Sequence, residues 1–165
     1  MGFLGKLFGG NKTEKKKEIS LSKQSGVPYN EGLIKTLLDD HQRLLAEFGK
    51  IMNFAQKNRS KLIKQYLKTF KLNLEIHNYS EKIQLYTYLE NYYKDDPDKL
   101  EVIRDLDEAA QEIFKNVFSF IKRYENIDFD KKSCEQFLNE WKTLGGILQS
   151  RISIEESELY TLYKK

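Results

Sequence analysis

From residue 30 onward, apolar residues return every three or four positions, the interval that lines one face of an α-helix. Four such stretches follow one another with short polar breaks. The first, about 30–57, starts behind Pro28 with Asn30 placed as an N-cap and turns Ile34, Leu37, Leu38, Leu44, Leu45, Phe48 and Met52 inward. The second, about 60–94, carries Ile63, Leu67, Phe70, Leu74, Leu85 and Leu89. The third begins at Asp96-Pro97, a capping acid followed by the proline favoured at the first helical position, and continues through Ile103, Leu106, Ala110, Ile113, Val117, Phe120 and Tyr124. The fourth opens on Ser133-Cys-Glu-Gln136, a capping-box pattern, and carries Phe137, Trp141, Leu144, Leu148, Leu159 and Leu162. No stretch alternates as a strand does. The pattern predicts an all-α protein, an antiparallel up-down four-helix bundle over 30–165, behind a disordered basic leader, 1–29.

Five polar residues interrupt the apolar faces. His41 stands four after Leu37 and three before Leu44; His77 and Glu81 continue the line of Phe70 and Leu74; Arg151 and Glu155 continue that of Leu144 and Leu148. At a rise of about 1.5 Å per residue, all five fall within one or two turns of one level of the bundle. Unpaired charges are strongly penalised in a core, so five at one level must serve one another or a ligand. Two imidazoles and two carboxylates suffice for iron, zinc or manganese, and His-x-x-x-Glu sets both groups on one helical face. The same residues also fit a metal-free cluster in which Arg151 bridges Glu155 and Glu81. Part of this pattern is an internal repeat: His77…Glu81…Leu85-Tyr86 returns as Arg151…Glu155…Leu159-Tyr160, with arginine in place of histidine. A looser echo sets Ala110 in the region matching His41.

Charge narrows the function further. Residues 1–23 hold six lysines against two glutamates, so the net +3 of the chain lies in the leader, and the bundle is close to neutral. No basic face suggests nucleic-acid binding. Within 1–17, Phe3, Leu4, Leu7 and Phe8 beside lysines fit weak peripheral contact with an anionic membrane or a protein partner. The chain has neither a membrane-spanning run nor the apolar core of a secretory signal, and its one cysteine, Cys134, forms no internal disulfide. Cytoplasmic residence is expected, with the leader able to touch the inner membrane face. Cys134 sits at a helix start, where a thiol pKa can be lowered. The many tyrosines near the helix ends, Tyr86 and Tyr160 among them, read as rim packing. With no nucleophile–base pair, phosphate loop or cysteine-rich zinc pattern, an enzyme is not expected.

Over roughly 30–163 the chain resembles the hemerythrin/HHE cation-binding family. The resemblance rests on Leu33-Ile34…Asp40-His41…Leu44-Leu45, on His77-x-x-x-Glu81 ahead of Leu-Tyr, and on the closing Glu155-Glu156-x-x-Leu-Tyr. It implies a four-helix bundle built for a di-iron centre, with His41, His77, Glu81 and Glu155 at ligand positions and Glu156 as the alternative to Glu155. In that family the histidines of the first two helices bind one iron and those of the last two bind the other. Ala110 and Arg151 fall at the latter positions. The resemblance therefore implies at most one iron, manganese or zinc ion, or none, in a sensor or adaptor with a protein partner.

The closing Leu144-Gly145…Leu148…Arg151…Glu155-Glu156 is also similar to the last helix of the regulators of sigma D, helical bundles that bind a sigma factor. That resemblance implies a metal-free regulatory binding module in which Arg151 is native. The Asp-Tyr…Gly-His-Phe segment of those regulators is missing here.

Overall fold

Each turn between helices is built by local chemistry that the sequence carries. The computed structural model describes residues 26–165. Helix α1 (Leu33–Gln56) ends where Asn58 adopts φ 52°, a left-handed conformation that asparagine tolerates. There Arg59 N–H donates to Phe54 O and Asn58 N–H to Ala55 O, the paired bonds that close a helix C-terminus and reverse the chain. Helix α2 (Ser60–Ser80) follows at once, passes into a π-helical turn (Glu81–Tyr86), and ends as α3 (Thr87–Tyr92), so the three form one rod. Asp96 caps α4 (Pro97–Glu125) by accepting from Lys99 N, with Pro97 in the first turn. Helix α5 (Lys131–Ile154) runs on into a second π-helical turn (Glu155–Leu159) and a 3₁₀ turn (Tyr160–Leu162). No strand occurs among the described residues.

The expected all-α four-helix bundle is the fold: α1 packs on α2 and α5, and α4 packs on α2 and α5. Three local expectations are corrected. The first helix starts at Leu33, and Asn30 instead accepts from Gly32 N–H in the turn before it. The capping box of α5 lies three residues earlier, Asp130 and Ser133 each bonding the other's backbone N–H. Leu45 is exposed, because its neighbour Leu44 takes the buried position at that turn. The leader residues 1–25, with their expected membrane contact, lie outside the described residues. Tyr29, at the end of the expected leader, already packs on Tyr163 and Tyr88.

The apolar core is divided. One cluster gathers Ile51, Ile63, Phe70, Phe120, Phe137 and Trp141; the other gathers Leu33, Leu37, Leu85, Leu89, Ile103 and Leu159. On every rod the residues between the two are polar or small and buried: Asp40 and His41, His77 and Glu81, Asp107 and Ala110, Arg151 and Glu155. A polar layer thus crosses the whole bundle.

Candidate metal centre

The two π-helical turns lie on the two copies of the internal repeat, each beginning at its glutamate and reaching its tyrosine or the residue before it. Residues five apart in an α-helix point about 140° apart. The wider i→i+5 turn closes that angle, so Tyr86 comes round toward the face of Glu81 and Tyr160 toward that of Glu155. Both tyrosines are buried in the layer, which corrects their reading as rim residues. They cross-link the copies: Tyr86 Oη accepts from Arg151 Nη2 at 2.5 Å, and Tyr160 Oη donates to Glu81 Oε1 at 2.7 Å.

His41, His77, Glu81 and Glu155 are each buried, and each offers one ligand atom such that all four atoms lie within 4.8 Å of one another. The four candidate ligands read from the sequence therefore meet at one point. Glu156 does not join them. Its half-exposed carboxylate accepts from His41 Nδ1 at 2.8 Å, which fixes the ring and turns Nε2 inward. An outer carboxylate holding the far nitrogen is the usual orientation device for a metal-binding histidine. Arg151 donates from Nε to Glu155 Oε1 at 2.5 Å, leaving Oε2 facing His41 Nε2 at 3.1 Å. Of the expected Arg151 bridge, the Glu155 half forms; the other hydrogen bond goes to Tyr86 rather than Glu81. Ala110 lines a cavity of about 60 Å³ that the cluster itself opens onto: His41, His77, Glu81, Arg151 and Glu155 line it on one part, Leu74, Phe114 and Val117 on another.

Burial dominates the electrostatics of the layer. Burial works against protonating His41, yet its hydrogen bonds to Glu155 and Glu156 outweigh that and raise its pKa. With a carboxylate on each ring nitrogen, His41 needs a proton or a metal at Nε2. His77 is pulled down to about 4, by burial first and by His41 second, so it is neutral and has a lone pair to give. Its Nδ1 is buried without a hydrogen-bond partner, since Asp40 Oδ2 stands 3.6 Å away, beyond hydrogen-bonding reach. Asp40 is itself engaged by Arg43 at 2.5 Å. Glu81 is pushed up to about 8 by burial and then by Glu155. Burial also opposes ionising Glu155, but the bonds from His41 and Arg151 overcome it and hold its pKa low. Two imidazole nitrogens and two buried carboxylates are the donor set of a divalent or trivalent cation. The residues fit a metal.

The sequence missed Asp107, which is buried and pairs with Lys82, and the roles of both tyrosines. The Glu-x-x-x-Leu-Tyr shared by both repeat copies was the available signal. Cys134 is buried, and burial raises its thiol pKa rather than lowering it. No helix among the described residues is long and apolar enough to cross a membrane.

No curated protein and no solved structure matches the chain. A family model does: residues 32–163 match the hemerythrin HHE cation-binding domain, a span running from the turn before α1 to the last tyrosine of the bundle. With that match and the buried His/Glu cluster in place, the chain belongs to the hemerythrin HHE cation-binding family.

Proposed function

We propose that the protein is a metal-binding sensor or adaptor, not an enzyme, with a single iron site formed by His41, His77, Glu81 and Glu155. The observation that carries this reading is the asymmetry of the polar layer. Four donors gather within 4.8 Å, while the positions of the family's other histidines are held by Ala110, whose methyl offers no donor, and Arg151, paired with Glu155 and Tyr86. Arg151 contributes a fixed positive charge where a second cation would otherwise stand, so one ion completes the charge balance. A bound iron would supply Lewis acidity and a redox couple to the layer. His41, oriented by Glu156, and Glu155, oriented by Arg151, would hold it. Manganese or zinc would suit the same donors. The single buried cysteine supports a cytoplasmic setting.

Elemental analysis of untagged protein purified without chelator tests this: about one equivalent of metal in the wild type and little in His77→Ala are expected. A metal-free wild type defeats the reading. A second reading, a metal-free module binding a protein such as a sigma factor, draws support from the bonds Arg151, Tyr86, Tyr160 and Glu156 already make within the layer. A pull-down with and without chelator separates the two, because a metal sensor must bind its partner differently in its two states.

A further inference from the structure

The two copies of the repeat place a tyrosine at the same station in the polar layer, but the two phenol oxygens meet different partners. Tyr86 Oη faces a cation, the Arg151 guanidinium, at 2.5 Å. Among the described residues, Tyr160 Oη bonds neither an arginine nor a lysine. It stands instead among the candidate metal donors, 2.7 Å from Glu81 Oε1 and 3.2 Å from His41 Nε2. His41 Nε2 in turn stands 3.1 Å from Glu155 Oε2. Two donors each about 2.1 Å from one ion, at right angles, are about 3.0 Å apart. The separations among these four atoms therefore suit neighbouring donors on a common ion as well as they suit hydrogen bonds.

We propose that Tyr160 is itself a metal ligand, its phenolate oxygen binding the same ion as His41, His77, Glu81 and Glu155. The site becomes one of two nitrogens and three oxygens, and its hard, anionic oxygens favour ferric iron over softer divalent ions. Tyr86 and Tyr160 then play matched parts: each phenol oxygen meets one cation, arginine for Tyr86 and metal for Tyr160. Binding exchanges the phenol proton for the ion. The O–H bond breaks, an iron–oxygen bond forms, the proton passes to solvent, and no electron moves. Burial of Tyr160 in the layer keeps water from taking the place of its oxygen.

This assignment rests on the metal reading above, and the test separates the two. Chelator-stripped full-length protein is loaded with ferric nitrilotriacetate, freed of excess iron, and examined by elemental analysis, visible absorption and resonance Raman spectroscopy. The expected wild type holds one iron and shows a phenolate-to-iron charge-transfer band, with tyrosine ring vibrations enhanced by excitation in that band. Tyr86→Phe keeps the band. Tyr160→Phe loses it and binds iron about ten-fold or more weakly, the scale on which removing a group that supports a metal site acts. Should Tyr160→Phe fail to fold, the wild-type and Tyr86→Phe spectra decide alone, because Tyr160 is then the remaining tyrosine within reach of the four donors. Iron bound without a phenolate signature, or a signature lost with Tyr86, overturns the assignment and leaves the metal reading standing. A wild type that takes up no iron overturns both.

Discussion

At the scale of single residues, the layer is governed by where its counter-charges come from. Arg151 is buried and serves Glu155, so Arg151→Met strands an ionised carboxylate in the core. Breaking one partner of a buried pair costs about 3–5 kcal/mol. Chemical denaturation of the metal-free variant should show a loss of that order, and a smaller one with metal bound, because the ion also neutralises Glu155. Glu81 gives a pH signature. Its folded pKa of about 8 lies above its ordinary 4.5, so between those values the folded state holds more of the proton than the unfolded chain does. Stability from this group is full below 4.5 and is lost as pH rises through 8. His41, also raised, acts in the same direction above 6.5. His77 acts oppositely, since its folded pKa of about 4 removes stability as pH falls below 6.5. Above 6.5 the His77 effect has ended, so the Tm of metal-free protein should fall as pH is raised from 6.5 to 8. In Glu81→Gln the fall should be shallower; an unchanged slope would mean that Glu81 ionises freely.

At the scale of elements, adjacent glycines in α5 make a paired test of packing against propensity. A Cβ on Gly145 would stand 2.6 Å from Phe48 Cζ, and that ring is held in a stack on Trp141 with centroids 4.2 Å apart. Nothing lies within 4 Å of a Cβ on Gly146. Gly145→Ala should therefore destabilise by about 1–3 kcal/mol, as overpacking does. Gly146→Ala should stabilise by about 0.5–1 kcal/mol through the backbone entropy it removes from the unfolded chain. Urea midpoints of the two variants read the opposite signs directly, and Phe48→Leu should relieve the first. The sequence made such elements legible unevenly. Four apolar faces of period 3.6 and the Asp96-Pro97 cap identified the rods, because burial and capping act within a few residues. The π-helical turns could not be read that way: nothing in Glu81–Tyr86 differs from α-helical composition, and only packing of the layer selects the wider turn. Hence the α-helical period alone sets Tyr86 and Tyr160 at the rim, and those turns bring them inward.

At the scale of the whole molecule, the polar layer is the joint between two apolar clusters, contributed to by all four rods. The convergence of His41, His77, Glu81 and Glu155 was legible from helix register alone, since residue counts along antiparallel rods fix their heights. The partner of each was not, because side-chain choices such as Arg151 for Tyr86 depend on distances between helices. A ligand that binds only the folded layer stabilises the whole bundle, by about 2.7 kcal/mol at a free concentration one hundred times its Kd. Metal loading should raise Tm and chelator should lower it again. The distribution of the effect is more telling than its size. The donors sit on α1, on the end of α2, and on both π-helical turns, which are far apart in sequence. Wider turns hold weaker backbone ladders, so these two segments should exchange amide hydrogens fastest within their rods when metal is absent. Metal should slow exchange at Glu81–Tyr86 and Glu155–Leu159 together, while the cluster around Trp141 changes little. Protection of one segment without the other would show that the ion is held by half of the layer, and Tyr160→Phe should then shift the balance toward Glu81–Tyr86 if the last rod binds through its tyrosine.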